Sequence, residues 1–581
     1  MRTSGILIIV SCLTACPGGT GDTTDTATTD PTSTGSETTG PAPGTITETV
    51  PTSGESMTTG EPTGSTTDST TGEPALPGTR VVYSTLAPAR ELYFVDCTGE
   101  TPGAPVRIHE PNEEGWLVTT VFQFSPSGRW LQYNRFHETL GREAWLVDMS
   151  GPMPGVPKRV ELPQGVDELG TILFSHDESK LALRAADPGG GFQFHVCTIE
   201  PDGTCVPESW GVPLQPGGTH RRSFEFSPDD TRVTYFGDPD GDGLNQVFLG
   251  GTAPGDAGVA VAVSGDLPPV DDTEVAWFSQ DGATLYYTFG PTPDRQGVRA
   301  VDITSDPPGD PKTVVPNEGR FEFRADESAV LWWSSEGSAS SGDLAVFVID
   351  GTKVGPSAPI HDEPGRVSDR VFEWSADGRF ALYRANGGVV EDAWALFASD
   401  LSGPTPAPPV RLSAPITTNG TVDRVLVGPD PSFVLYTGWP DLETGHQLWK
   451  VPLESPGDRV LLAETSNIGT ILEVVLGPEG SQVIFASASE LAGEHDLFFV
   501  DASAPAAPVK LNAPLKAGEG VARLAFSHDG RRVFYNARKA VDDATVQRLL
   551  QVEVDEPGAA VQVSAPEHSV GLALFLPPVG E

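Results

Sequence analysis

Cationic side chains are scarce: 36 Lys and Arg stand against 80 Asp and Glu over 581 residues, a formal net charge of -44. Binders that track nucleic-acid phosphates need clustered cations to displace counterions, so nucleic acid is excluded as a partner. Long apolar runs are also missing. The run near the start, Gly5 to Val10, is too short to cross a bilayer, and no later stretch reaches the roughly 18 apolar residues that a spanning helix requires. What the chain has in quantity is punctuation, with 65 Gly and 54 Pro, too many for long helices and suited to short strands joined by turns. Helical bundles are excluded. Apolar residues at 38% and aromatics at 8% suffice for a large packed core.

The N-terminus reads as an address. Arg2, the apolar run and then Leu13-Thr14-Ala15-Cys16 form a secretory signal with small residues before its cleavage point. The Leu-Thr-Ala-Cys string resembles the lipobox of bacterial lipoproteins, which implies a signal peptide of residues 1–15 and lipid on the Cys16 sulfur. Pro17 rather than Asp follows the Cys, which by the same analogy points to the outer membrane of the cell envelope. Acyl chains then hold the protein at the membrane, each buried methylene contributing about 0.8 kcal/mol. From Pro17 to Gly78 the chain has no Lys, Arg or aromatic residue and is mostly Thr, Gly, Ser, Pro and acid. Such a segment buries too little apolar surface to offset ordering entropy, so residues 16–78 are expected to be a disordered tether.

From Arg80 onward the sequence repeats. Val121-Phe122-Gln123-Phe124-Ser125-Pro126-Ser127-Gly128-Arg129-Trp130-Leu131 shows the half-unit: strand, tight turn, strand. It recurs at Phe174-Ser175, Phe226-Ser227, Phe278-Ser279, Trp374-Ser375 and Phe526-Ser527, with degenerate copies at Phe323, Val427 and Leu476, in steps of 45 to 53 residues. Ser and Asp bond nearby backbone, Pro presets its dihedral and Gly takes the left-handed position. The flanking Phe or Trp is expected to pack between neighbouring sheets. A second half-unit pairs strands such as Ala144 to Asp148 and Pro157 to Leu162. Two hairpins make a four-stranded sheet, and repeats of this length are propeller blades. These blades resemble the WD40-like (PD40) repeats of the TolB-type propeller family, whose signature is the Phe-Ser-Pro-Asp-Gly turn. The resemblance implies an all-β propeller of four-stranded antiparallel blades over residues 79–581 and says nothing specific about function.

Nine complete units and two fragments can be counted. Thr79 to Ser84 lacks a first strand and Val570 to Phe575 lacks a second, so together they complete a tenth blade and close the ring with both termini. Two smaller propellers are the alternative.

Candidate chemistry is sparse. Asp238, Asp240 and Asp242, followed by Gly243, match the first half of a calcium loop, with the Leu244 carbonyl and the Gln246 side chain as further oxygen ligands. Position twelve is Leu249 rather than Glu, which excludes an EF-hand, and the same letters also make an acidic turn. Cys197 and Cys205 flank a Glu-Pro-Asp-Gly turn and are expected to form a disulfide in an oxidising envelope, leaving Cys97 buried or open to intermolecular pairing. The 10 His form no metal pair at helical or strand spacing. No Gly-x-Ser-x-Gly elbow occurs, and the chain ends within a blade, so no hydrolase domain of the prolyl-oligopeptidase kind is expected. No catalytic residue is assigned.

Connections between second and third strands and between blades read as long and variable and fall together at one end of the ring, where binding is usually built. Trp116, His220, Arg221, Arg222, Trp439 and His446 are the polar and aromatic residues of that face. The sequence therefore predicts an envelope-anchored lipoprotein presenting a propeller as a non-catalytic binding or scaffolding module for protein or glycan. A propeller enzyme, a polysaccharide lyase or hydrolase working at the channel mouth, is the alternative.

Overall fold

The computed structural model describes residues 79–575, apart from 87–89, 111–114, 163–168, 187–190, 254, 266, 268–274, 293–294, 335–340, 362–366, 387–392, 418–419, 442–443, 466–468, 489–494, 517 and 542–543. The expected signal peptide, Cys16 and the tether lie outside the described residues.

Each blade follows from its turns. In the first hairpin of blades 2, 3, 4, 5, 7 and 10, the turn serine accepts a hydrogen bond from the backbone N–H five residues on, at 2.8–2.9 Å. In five of these six, all but blade 2, its hydroxyl donates to the aspartate two residues later. The next turn position has positive φ, filled by Gly128, Gly282, Gly378, Gly480 and Gly530 and, unexpectedly, by Glu178, Asp230 and Glu327. These bonds close each hairpin within its own turn.

Ten four-stranded antiparallel units result. Blade 2 is typical, with Trp116–Phe124 innermost, then Trp130–His137, Gly141–Asp148 and Lys158–Arg159 outermost. Blade 1 is built from both ends of the chain: Val570–Phe575 is its inner strand and pairs antiparallel with Arg80–Thr85, Val81 opposite Phe575. Ten apolar clusters fill the spaces between blades, and each draws on two consecutive blades. The last sets Phe534, Leu549 and Val563 of blade 10 against Val81, Val95 and Cys97 of blade 1. Every blade thus packs on its two sequence neighbours, which is one closed ring of ten and not two smaller propellers. The turn aromatics Phe174, Phe226, Phe278, Phe323 and Trp374 all lie in these clusters.

Three details differ from the sequence reading. The outer strands are shorter: only Lys158–Arg159 of the expected 157–162 is paired, and seven outer strands have two residues. An edge with one neighbour and a proline at its start supports little more. The short step, 45 residues from Phe278 to Phe323, arises because Lys312–Phe323 is a single strand that is outermost in blade 5 and innermost in blade 6. The connections at one end of the ring are also not uniformly long, since blades 5 and 10 join second to third strands through Thr292/Arg295 and Val541/Ala544 hairpins.

Candidate functional site

Antiparallel order divides the ring into two faces. First-to-second and third-to-fourth strand turns lie on one, the turn face; the remaining connections lie on the other, the loop face. Both described chain ends, at Arg80 and Phe575, leave from the turn face.

Several loop-face connections are held by a feature that sequence reading missed, a second-strand tyrosine that in five of the six blades with a turn serine stands eight residues after it. Tyr235 accepts from the Val212 N–H at 2.9 Å and Tyr436 from Ala414 at 2.9 Å, each pinning the loop that enters its own blade. Tyr83 does the same with Ala565 at 3.3 Å and meets His568 Nδ1 at 2.8 Å, while Tyr383 meets His361 at 3.2 Å. Burial pushes the Tyr83 and Tyr235 phenols upward, so they stay neutral. The signal was present: Tyr133, Tyr235, Tyr287, Tyr383 and Tyr535 recur at this offset.

Of the residues expected on this face, three are packed beneath it rather than presented. His220 is 1% exposed; its Nδ1 accepts from the Phe194 N–H at 3.2 Å and its ring is tilted against Tyr235. Burial, with His195 and Arg184 close by, lowers its pKa to about 3. His446 is wholly buried, accepts from the Ile471 N–H at 2.9 Å and is lowered to about 4 by burial. Trp116 is buried at the start of the inner strand of blade 2. Neutral imidazoles with one nitrogen spent on backbone are packing elements, a correction to their expected role as contact residues. Arg221 reaches from the inner strand of blade 4 to Asn245 Oδ1 at 3.1 Å. The side chain of Arg222 lies outside the described residues. Trp439 is half-buried, stacks on His446 with centroids 3.8 Å apart, and lines a shallow surface depression with Tyr436, Trp449, Ile416 and Gln447.

The acidic loop joins second to third strand in blade 4. Asp238, Asp240 and Asp242 bring carboxylate oxygens within 4.8 Å of one another, the one such group of potential metal ligands among the described residues. Asp238 is buried, and its oxygens accept from the N–H groups of Gly241 at 2.8 Å, Asp242 at 3.1 Å and Gly243 at 2.9 Å. Asp242 accepts from Leu244 at 2.8 Å, and Gln246 opens the third strand. Much of the carboxylate capacity is therefore spent on the loop itself; Asp240 is the exposed member with no such bond.

Cys197 and Cys205 are bridged, with Cα atoms 5.6 Å apart. Cys97 is fully buried at the seam of blades 10 and 1, and burial raises its thiol to about 12, so it is protonated and closed to intermolecular pairing.

No protein-family model matches the chain, and no curated protein matches its sequence. Among solved structures, a eukaryotic initiation factor has 11% identity over 86% of this chain and 98% of its own, with a TM-score of 0.47. Dipeptidyl peptidase 4 from Porphyromonas gingivalis has 13% identity over 61% of this chain and 55% of its own, TM-score 0.41. TolB from Acinetobacter baumannii has 17% over 48% and 66%, TM-score 0.25. The propeller fold stands on the strand pairing described above.

Proposed function

We propose that the protein is an envelope-anchored lipoprotein whose propeller displays its loop face as a binding or scaffolding surface for a protein or glycan, without catalysis. The observation that carries this is the placement of the chain ends. Both leave the ring on the turn face, so a tether rising from a lipidated Cys16 approaches that side and the loop face stays unobstructed. The loop face also carries the connections between blades, which differ in sequence, whereas six first-hairpin turns of the opposite face repeat one serine-based pattern, and recognition is usually built on variable loops of a fixed scaffold. A coil of this tether's length spans several nanometres, about 5–6 Å times the square root of its residue count, enough to reach partners away from the bilayer.

The test is crosslinking and affinity capture of the tagged, lipidated protein from its own envelope. Recovery of a specific partner that is lost when the 413–424 and 439–446 connections are replaced supports the reading. Turnover of a glycan or peptide panel by the purified protein would overturn the non-catalytic part. Recovery of the protein in the soluble fraction after Cys16→Ser, and in membranes otherwise, checks the anchor.

A further inference from the structure

Three arginines near the loop end of second strands, in blades 2, 3 and 7, lie over aromatic rings and differ in the acceptors they reach. Arg184 lies over the Phe192 ring and donates from Nε to the His220 carbonyl at 2.7 Å. Arg384 lies over Trp394 and donates to the Val422 carbonyl at 2.8 Å and to Ser368 Oγ at 2.8 Å. Both carbonyls stand where the inner strand of the next blade bulges, which frees them from the sheet ladder. Arg135 of blade 2 has the same kind of stacking, over Trp116 at 5.0 Å and Trp145 at 5.5 Å, but no acceptor. Its Nε is enclosed and unpartnered, the residue is 6% exposed, and its guanidinium makes no hydrogen bond or ion pair among the described residues.

That is an expensive arrangement. A guanidinium cannot shed its proton, and an enclosed N–H without an acceptor costs about 1–3 kcal/mol. The nearest candidate, Glu143, is directly opposite on the third strand, but its oxygens are taken by the Trp145 indole N–H at 3.2 Å and by Arg159 at 3.2 Å. Across the gap, His109 of the connection from blade 1 is 3% exposed and donates from Nδ1 to the Glu110 carbonyl at 2.5 Å. Its Nε2 has no partner either, and burial lowers its pKa. Two buried polar groups from adjacent blades thus lack partners in one small region. The guanidinium lies 5.0 Å from the Trp116 ring centre and 5.5 Å from that of Trp145, and its N–H groups are of the kind that takes a carboxylate or phosphate in a two-point fork.

We propose that Arg135 is the anion-reading residue of a binding site between blades 1 and 2, and that the site takes the oxyanion of a ligand: a carboxylate, sulfate or phosphate group. The inference rests on the loop face being the binding face, and it supplies that face with a ligand chemistry. Trp116 and Trp145 position the guanidinium, and His109 Nε2 is free to accept from a hydroxyl beside the anionic group.

The test titrates the full-length protein in detergent with acetate, glucuronate, phosphate and sulfate, against chloride at matched ionic strength, reading tryptophan fluorescence and the thermal midpoint. A saturable response to at least one oxyanion is expected, because Trp116 and Trp145 touch the guanidinium, and the anion with the strongest response names its class. Arg135→Gln should weaken that response at least tenfold. Arg135→Lys keeps the charge and loses the fork, so it should bind the same anion several-fold more weakly; it also carries the test if the glutamine variant fails to fold. No saturable response, or equal affinity in the wild type and both variants, overturns the proposal. Envelope capture of a partner that persists in Arg135→Gln while the anion response is absent removes this inference and leaves the reading of the loop face standing.

Discussion

The two faces of the ring solve the same problem differently. On the turn face side chains tie blades 10 and 1 to 6 into one run of neighbours; on the loop face each connection is tied mainly to the blade it enters. Backward ties come from the three acids that stand where glycine is otherwise used. Glu178 accepts from Ser127 of blade 2, Asp230 from the His176 and Asp177 N–H groups of blade 3 at 2.9 and 2.7 Å, and Glu327 from Gln280 of blade 5 at 3.2 Å. Forward ties come from cations that open second strands: Arg80 donates to Met149 at 2.8 Å, Arg232 to Ile303 at 2.7 Å, and Arg532 to Cys97 across the seam. Ties between blades also occur at the loop end, where Arg184 reaches the His220 carbonyl and Arg384 the Val422 carbonyl, so the faces differ in how regularly such ties recur.

The largest expected effect breaks one tie. Asp230 is 4% exposed and also holds His176 Nδ1 at 2.9 Å, so Asp230→Ala leaves two turn N–H groups without an acceptor and a Cβ at φ 55. A loss of about 3 kcal/mol is expected, as for removal of a buried hydrogen-bonded carboxylate. Asp230→Gly removes the same bonds but relieves the left-handed strain, so it should recover about 1 kcal/mol of that loss. Denaturant unfolding of both variants decides it; equal losses would show that the positive φ costs nothing here. Removing the disulfide, by Cys197→Ser with Cys205→Ser, should cost about 2.5 kcal/mol, the chain-entropy value for so short a loop, and is read in the same way.

How much of this was legible follows from where each partner lies in sequence. Turns were legible because Ser125, Asp177 and Gly128 bond within five residues, and the ring closure because Val570 to Phe575 is visibly a strand without its hairpin mate. The ties were not, since Asp230 and His176 lie 54 residues apart and meet only once the blade spacing sets them side by side. A signal did exist: an acid at the position that is Gly in the sibling turns calls for a compensating contact. Burial of His220, His446 and Trp116 was hidden for another reason. A loop-end position reads as exposed in sequence, and only the packing of Gly211 and Gly237 against His220 shows otherwise.

Charge offers a smaller test of the same contrast. Glu225, Glu322 and Glu373 occupy the same inner-strand position in blades 4, 6 and 7, two residues before the turn, with Glu327 nearby. Burial, reinforced by Glu327 at Glu225, by Glu322 at Glu373 and by Asp281 and Asp326 at Glu327, raises them to about 8, 7, 8 and 7 respectively. Their folded values exceed the ordinary carboxylate value, so the stability they contribute is complete below about pH 4.5 and is lost as pH rises through 7 to 8. Asp400 acts in the opposite sense: its hydrogen bond with Arg379 lowers it to about 2, so its contribution is lost as pH falls from about 4 towards 2. The thermal midpoint should therefore peak near pH 4 to 5 and decline as pH rises to about 8. Glu225→Gln with Glu373→Gln should flatten the alkaline limb alone. An unchanged alkaline limb in that double variant would mean that these carboxylates are not what the ring loses above pH 7.

The smallest effect is expected on the loop face, within the acidic loop of blade 4. Asp238 behaves there like a turn-face residue, since its carboxylate closes a local loop through three N–H groups, whereas Asp240 points outward. Asp238→Ala should therefore cost about 1–2 kcal/mol, the usual loss for unpaired buried donors, while Asp240→Ala with chelator present should stay within about 0.5 kcal/mol of wild type. Calcium is the term that could reverse the ranking. An ion bound only to the folded ring stabilises it by mass action, and Asp240 is the carboxylate with most free capacity to hold it. A calcium-dependent rise in the wild-type midpoint that vanishes in Asp240→Ala would make this loop a cation-clamped exception on its face. An identical midpoint with calcium and with chelator would leave it an acidic turn, closed by Asp238 alone, and the contrast between the two faces would then hold at every loop for which the structure gives contacts.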